Sequence, residues 1–436
     1  MDAYLNAVPE EILEAIEELR SPRKNYSDIR DEEGRQYVDF VQEGGGVLGV
    51  ALVGYTWVLE QCNIRFLNLA GTSAGAINTV AMAAAGRINE TRSDKILQMV
   101  TEVDMKSFMD GPAYSKRLVN RIMAGRSFLK LAFPLARSIG YLSKNLGLHK
   151  GDTFQNWFAQ YLRENGVDTL SDLMQVRAEI PEGIYRSGEG EEKIPFRDKP
   201  EFCIIASDIT TATKVMFPQM ASLYWSEPES VDPAEIVRAS MSIPLFFKPF
   251  TLDDIPDNLD GDRAALEEKW LQYAGYKGPV PKSVKFADGG MLSNFPIDVF
   301  HLRDRIPGRP TFGVRLSTFR ENYSKNKSLG SLAGSLISTM RQFNDYDFLI
   351  RNPEYQSLVG RINADAVTDQ NGEKKFHWLD FNMGEEEKIK LFVLGAKRAV
   401  EFLRGFKWED YKNMRKKRLE SGMDEKRSVS WGKSYA

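Results

Sequence analysis

The chain has 436 residues, 42% hydrophobic and 27% charged, a balance ordinary for a soluble globular protein. Its formal charge of −3 provides no overall basic field for phosphates, so nucleic acid is not expected as a partner. Two cysteines, Cys62 and Cys203, stand apart from each other and from the three histidines, which suits core residues better than a disulfide or a zinc site.

Residues 1–36 open with "MDAYLNAVPEEILEAIEELR", acidic and apolar at helical spacing, and are expected to form an N-terminal helical segment. It lacks the basic and apolar regions of a signal peptide, and no run of 18 apolar residues follows, so a soluble cytoplasmic protein is expected. Tyr37–Val41 reads as a strand, Leu48–Gln61 as a buried helix, Phe66–Ala70 as a second strand and Ala74–Ala85 as a second helix. Two such units imply right-handed crossovers and a parallel sheet. Further strands are predicted at Glu201–Ala206, Lys214–Phe217, Ser283–Ala287 and Thr311–Ser317, with a helix at Pro233–Met241. Residues 91–200 read as a mainly helical insertion ending in "EIPEGIYRSGEGEEKIPFRDKPE", a polar, glycine-rich surface loop. Residues 321–436 read as a helical extension whose charged last 15 or so residues are expected to be mobile.

Between the first strand and helix stands "EGGGVLG". Gly44, Gly46 and Gly49 fit G-x-G-x-x-G, yet no acidic residue ends the second strand to hold a ribose. Gly49 is followed by Val50 and Ala51 rather than Lys-Ser or Lys-Thr, so a P-loop is excluded as well. What ends the second strand is Gly71-Thr72-Ser73-Ala74-Gly75, a G-x-S-x-G between strand and helix. Its glycines remove Cβ atoms from a strained turn, and Ser73 sits at a helix N-terminus that favours negative charge. Neighbouring strand–helix units bring the Gly44–Gly45–Gly46 loop beside Ser73, where successive N–H groups can serve as an oxyanion hole. For a base, Asp288 ends an apolar strand and is followed by the Gly289-Gly290 turn. A turn-capping aspartate is the competing explanation for that position.

These three blocks, in this order and these strand contexts, resemble the patatin-like phospholipases. "RASMSIPLFFKPF" and "GLHKGDTFQNWFAQYL" resemble segments of the same family, and the resemblance runs from about Tyr37 to Ser317. It implies an α/β three-layer fold over residues 37–320, with a mainly parallel central sheet flanked by helices, a helical basic cap insertion at about 91–200 and the C-terminal extension. It also implies a dyad with Ser73 as nucleophile and Asp288 as base, acting on lipid acyl esters, with Gly44, Gly45 and Gly46 as the oxyanion loop. Gly49, Gly71, Gly75, Gly289 and Gly290 support these turns. Many members carry Arg or Lys where Leu48 stands, so this chain lacks a charge at that place in the loop.

The alternatives are an α/β-hydrolase with a Ser-Asp-His triad, using Asp208 or Asp288 with His301 or His377, and an inactive lipid-binding relative. Neither histidine stands in a glycine-rich loop of the kind that presents a catalytic imidazole, and His149 reads as solvated. No ligand cluster for a metal is visible and no cofactor is expected. Between Gly111 and Gly151 stand eight basic residues and no acidic one, interleaved with apolar side chains. Arg126, Lys130 and Arg137 in that stretch are candidates for peripheral contact with an anionic membrane, while a packed helical cap with solvated cations is the other explanation.

Overall fold

The computed structural model describes residues 1–123, 140–187, 192–259, 261–317, 329–368 and 375–421. The central strands form from short stretches rich in apolar residues, while several marginal ones are polar. The strands are β1 (Ile29–Arg30), β2 (Gln36–Gln42), β3 (Ile64–Thr72), β4 (Gly147–His149), β5 (Tyr185–Ser187), β6 (Lys193–Pro195), β7 (Phe202–Asp208) and β8 (Thr213–Phe217). Five more follow: β9 (Leu245–Phe247), β10 (Phe250–Asp253), β11 (Ser283–Asp288), β12 (Thr311–Arg315) and β13 (Val359–Arg361). All but β4 and β9, which pair with each other, join one 11-stranded sheet. β2, β3 and β7 are buried along their whole length, as strands covered on both faces must be.

The expectation of a mainly parallel sheet holds at its centre. β13, β12, β2, β3 and β7 pair in parallel in that order. The margins are antiparallel, with β8 and β11 on β7, β10 on β11, and β1, β5 and β6 extending from β2. The glycine-rich stretch read as a surface loop therefore contributes a hairpin to the sheet. Ile184 beside it is buried with Ile29, Tyr37, Leu67 and Ile88, and this small apolar cluster outweighs the polar composition.

The helices are α1 (Asp2–Asn6), α2 (Glu10–Leu19), α3 (Val50–Gln61), α4 (Ala74–Ala84), α5 (Ser93–Glu102), α6 (Ala113–Met123) and α7 (Asp152–Glu164). After these come α8 (Leu170–Ala178), α9 (Pro233–Ser240), α10 (Arg263–Ala274), α11 (Leu329–Arg351), α12 (Glu385–Gly405) and α13 (Trp408–Glu420). Nearly every position of α3 is buried, because α12 covers the face that the sheet does not. The two helices meet backbone to backbone. A Cβ at Gly54 would overlap the Phe392 carbonyl, and one at Gly395 the Ala51 carbonyl. Tyr4, Ile12, Ile16 and Leu19 of the N-terminal helices join the same apolar cluster as the sheet and α12. The N-terminal helices and α12 are thus built into one core. No helix among the described residues is long and apolar enough to cross a membrane. Arg126, Lys130 and Arg137, and the charged end after residue 421, lie outside the described residues.

A buried ion pair ties the C-terminal ends of β2 and β12 together just before the glycine loop. Glu43 accepts from Arg315 Nε at 3.0 Å and Nη2 at 2.8 Å, and from the Leu316 and Ser317 N–H groups at 2.7 and 2.9 Å. Burial alone would raise the Glu43 carboxyl, but Arg315 and the Ser317 N–H outweigh it and hold the group below its ordinary value. Burial pushes nearby Asp345 up to about 8, so Glu43 is the carboxylate that answers Arg315 at neutral pH.

Breaking the pair should be costly. Arg315→Met is expected to lower the unfolding free energy at pH 7 by about 3–5 kcal/mol, because Glu43 would remain charged and buried. A depressed carboxyl stabilises the fold above its unfolded value, near 4.5, and loses that contribution as pH falls through its lower folded value. Urea unfolding at pH 7 and in that acid window should show a pH-dependent loss in wild type that is smaller in Glu43→Gln. Identical pH slopes in the two proteins would contradict this role.

Candidate active site

Sheet register assembles the site. β3 runs parallel to β7 with Thr72 opposite Ile205, so Ser73 emerges beside the middle of β7. β11 runs the opposite way along β7 and ends with Asp288 opposite Ala206, one position further on. A strand entering from each end therefore delivers Ser73 and Asp288 to the same level.

Ser73 itself occupies a sharp turn, with φ 54° and ψ −118°, a conformation that costs a non-glycine residue about 1–3 kcal/mol. Its surroundings impose that turn. The Ser73 N–H donates to Ser240 Oγ at 2.9 Å, Thr72 Oγ1 donates to the Ser293 carbonyl at 3.0 Å, and Ile77 N–H closes the first helical bond to Ser73 at 3.1 Å. Gly75 lets α4 start against the end of β2, since a Cβ there would overlap the Gln42 carbonyl. Below the turn, Asn78 Nδ2 donates to Gln42 Oε1, and Gln42 Nε2 donates to Thr79 Oγ1 at 3.0 Å.

The glycine loop passes directly beside this turn. A Cβ on Gly44 would lie 3.0 Å from the Ser73 Cβ. The Gly44 N–H is taken by the Asn294 carbonyl at 3.0 Å, so Gly44 adds its bare backbone to the expected oxyanion loop but not a free donor. The N–H groups of Gly45 and Gly46 have no acceptor among the described residues. Gly46 has φ 57°, and the Trp378 carbonyl, which accepts from Val47 N–H at 3.0 Å, occupies the space a side chain would need. This left-handed conformation is one that glycine adopts without strain.

Asp288 is 5% exposed and accepts a hydrogen bond from Gly290 N–H at 2.8 Å, and the Ser73 side chain lies close enough to favour its charged form. Its backbone is fixed by Ser242 and Ser207, at 2.8 and 3.0 Å. Burial raises its proton affinity, and the opposing effects of Arg341, Ser73 and Gly290 do not cancel that rise. A carboxylate so shifted is a better proton acceptor than one in water.

From Ser73 and Gly46 a cavity runs between α3, α4, α5 and α7. Its walls are apolar almost throughout, including Ile77, Val100, Met105, Phe108, Trp157 and Phe381. Its shape and lining suit a hydrocarbon chain.

The histidines are engaged elsewhere. His301 Nδ1 is 2.7 Å from the Tyr355 hydroxyl, and His377 Nδ1 accepts from the Leu379 N–H at 3.2 Å. His149 is buried rather than solvated as its lysine neighbour suggested. It accepts from Gly111 N–H at 3.0 Å and packs on Phe246, and burial lowers its pKa to about 4. Asp208 caps its own turn through the Thr210 and Thr211 N–H groups. Among the described residues no group of three His, Cys, Asp or Glu could hold a metal ion. Sequence reasoning missed Ser240, Asn294, Arg341 and Trp378, which meet Ser73 or the glycine loop from far along the chain, and Phe381, which lines the cavity.

The family model for patatin-like phospholipases matches residues 40–301. YqhO of Bacillus subtilis (strain 168), described as uncharacterized, is 30% identical over 370 residues, covering 84% of this chain and 98% of its own. Among solved structures, VipD from Legionella pneumophila is 13% identical with a TM-score of 0.38, over 87% of this chain and 70% of that one. The ExoU-SpcU complex from the type III secretion system of Pseudomonas aeruginosa gives 15% identity and a TM-score of 0.34, over 85% of this chain and 52% of that one. The family match spans more than half of the chain and contains both Ser73 and Asp288. The chain belongs to the patatin-like phospholipases.

Proposed function

We propose that the protein is a lipid acyl hydrolase of the phospholipase A or lysophospholipase type, working through a Ser73–Asp288 dyad. The observation that carries this reading is the meeting of Ser73, which lines an apolar cavity, with the buried Asp288, whose charged form the Ser73 side chain favours. An acyl chain lies in the cavity with its ester carbonyl over Ser73. Ser73 Oγ attacks the carbonyl carbon while its proton passes to Asp288. The carbonyl electrons move onto oxygen, where the Gly45 and Gly46 N–H groups meet the charge, each well-aimed donor contributing about 3 kcal/mol. Collapse breaks the ester C–O bond, and the leaving oxygen takes the proton from Asp288 and departs as the alcohol that bears the head group. Water then attacks the acyl-serine, giving a proton to Asp288. The second collapse returns that proton to Ser73 Oγ and frees the fatty acid.

The same reading includes peripheral contact with an anionic lipid surface. Leu146 and Leu245, beside and within the small β4–β9 sheet, are 48% and 54% exposed. Both hold positive φ, 61° and 67°, and exposed Lys144, Lys150 and Lys248 stand close to them in the chain. Apolar side chains flanked by cations suit the head-group region of a bilayer. Leu245 is two residues from Ile243, which lines the cavity.

A fluorophosphonate probe is expected to label Ser73. Ser73→Ala should lose both labelling and hydrolysis of a simple ester, which separates an enzyme from an inactive lipid-binding relative. Asp288→Asn should also be inactive, whereas His301→Ala and His377→Ala should keep most activity. A histidine variant as inactive as Ser73→Ala would establish a triad instead, since removing a triad histidine costs orders of magnitude in rate.

The membrane edge has its own test. Leu146→Ser/Leu245→Ser should weaken binding to anionic vesicles about tenfold or more, each buried leucine contributing about 1.5–3 kcal/mol. Hydrolysis of a soluble short-chain ester is the control. Unchanged vesicle binding would remove these leucines from the membrane contact.

A further inference from the structure

The peptide joining Gly44 to Gly45 is gripped by its carbonyl. Asn294 Nδ2 donates to the Gly44 oxygen at 3.0 Å, and Arg341 Nη2 donates to the same oxygen at 3.3 Å. The same Arg341 nitrogen donates to Asn294 Oδ1 at 2.9 Å, which closes a triangle of arginine, asparagine and backbone carbonyl. The guanidinium carbon also lies 5.2 Å from the centre of the Trp378 ring. Its Nε is against the turn after Asp288, 3.2 Å from where a Cβ on Gly290 would be.

A peptide unit is planar and trans, so its C=O and N–H point in opposite directions. Fixing the Gly44 carbonyl therefore fixes the direction of the Gly45 N–H. The constraint is needed because glycines flank this peptide on both sides and no Cβ resists its rotation. Arg341 is suited to the task. A charged donor makes a stronger hydrogen bond to a carbonyl than a neutral one. Pulling electron density toward the oxygen also makes the N–H at the other end of the peptide a better donor.

We propose that Arg341, on α11, is a positioning residue that holds the Gly44 carbonyl together with Asn294, so that the Gly45 N–H faces the oxyanion formed at Ser73. The inference rests on the dyad reading above. It assigns a role in that chemistry to a residue beyond the family-matched region, 40–301. It also places a cation beside the glycine loop.

The test compares Arg341→Met, Arg341→Lys, Ser73→Ala and wild type on a neutral, short-chain nitrophenyl ester and on an anionic phospholipid. Removing an oxyanion donor outright costs about 100- to 1,000-fold in kcat, so losing only its aim should cost Arg341→Met about 10- to 100-fold. The loss should fall on kcat with KM changed by less than about twofold, and equally for both substrates. The rate of covalent inactivation by a neutral phosphonate should fall in parallel. Arg341→Lys, which still places a charged donor near the carbonyl, should recover part of the rate, and thermal unfolding should be the same for both Arg341 variants. A general structural role would move the melting temperature and would not be rescued by lysine. If Arg341→Met raises KM for the anionic lipid alone, the residue holds the head group and the positioning role is wrong. If Ser73→Ala is inactive while Arg341→Met keeps wild-type kcat, the positioning role fails and the dyad stands. If Ser73→Ala remains active, the dyad itself fails and the proposal falls with it.

Discussion

The backbone after β2 and the first turn of α4 lie so close that any side chain at Gly75 would overlap the Gln42 carbonyl. That approach decides what else is possible at this end of the sheet. It brings the loop that follows β2 beside Ser73 and leaves no room for a Cβ on Gly44 without displacing Ser73 or Asn294. It also brings Gln42 within hydrogen-bonding reach of Asn78 and Thr79, which serves both ends of the Gln42 amide. The strained backbone of Ser73 persists because the strand before it, the helix after it and the Ser240 hydroxyl all fix its position.

A second feature is how much of the site comes from outside the strands that carry its motifs. Glu43 fastens the end of β2 to Arg315 and to the backbone that follows β12. Trp378 covers the glycine loop with its carbonyl, and Phe381 closes one wall of the cavity. α12 packs on α3, the helix that the glycine loop leads into. The described residues after 328 thus share the core of the sheet and approach Ser73 through the loop they cover. Electrostatics follow the same plan. Burial raises the proton affinity of Asp288, while the Arg341 cation beside it limits how far that rise can go.

Much of the fold was legible because its central elements are local. The strands at 36–42, 64–72, 202–208 and 283–288 are short stretches rich in apolar and β-branched or aromatic residues, and glycine turns follow those that carry the motifs. Ser73 and Asp288 could be named because both stand at strand ends followed by glycine turns. What the sequence hid depends on distance along the chain. Nothing near Arg341 announces that α11 reaches Gly44, and nothing near Trp378 announces that its carbonyl lies over Gly46. The β5–β6 hairpin was hidden by its own polar composition, since its pairing is backbone to backbone and only Ile184 beside it is buried. His149 was misread for a related reason. Its lysine neighbour is exposed, but all three residues of β4 are buried and the imidazole packs against Phe246.

The central claim is that Ser73 attacks an acyl carbonyl whose oxygen is received by Gly45 and Gly46 while the chain occupies the apolar cavity. A crystal structure of the protein inactivated by a long-chain alkyl phosphonate tests it directly. The phosphorus should be bonded to Ser73 Oγ, with one phosphoryl oxygen about 2.7–3.1 Å from the Gly45 and Gly46 nitrogens. The alkyl tail should lie among Ile77, Val100 and Phe108. A phosphoryl oxygen turned away from both glycines, or a tail lying outside the cavity with the cavity empty, would contradict the account.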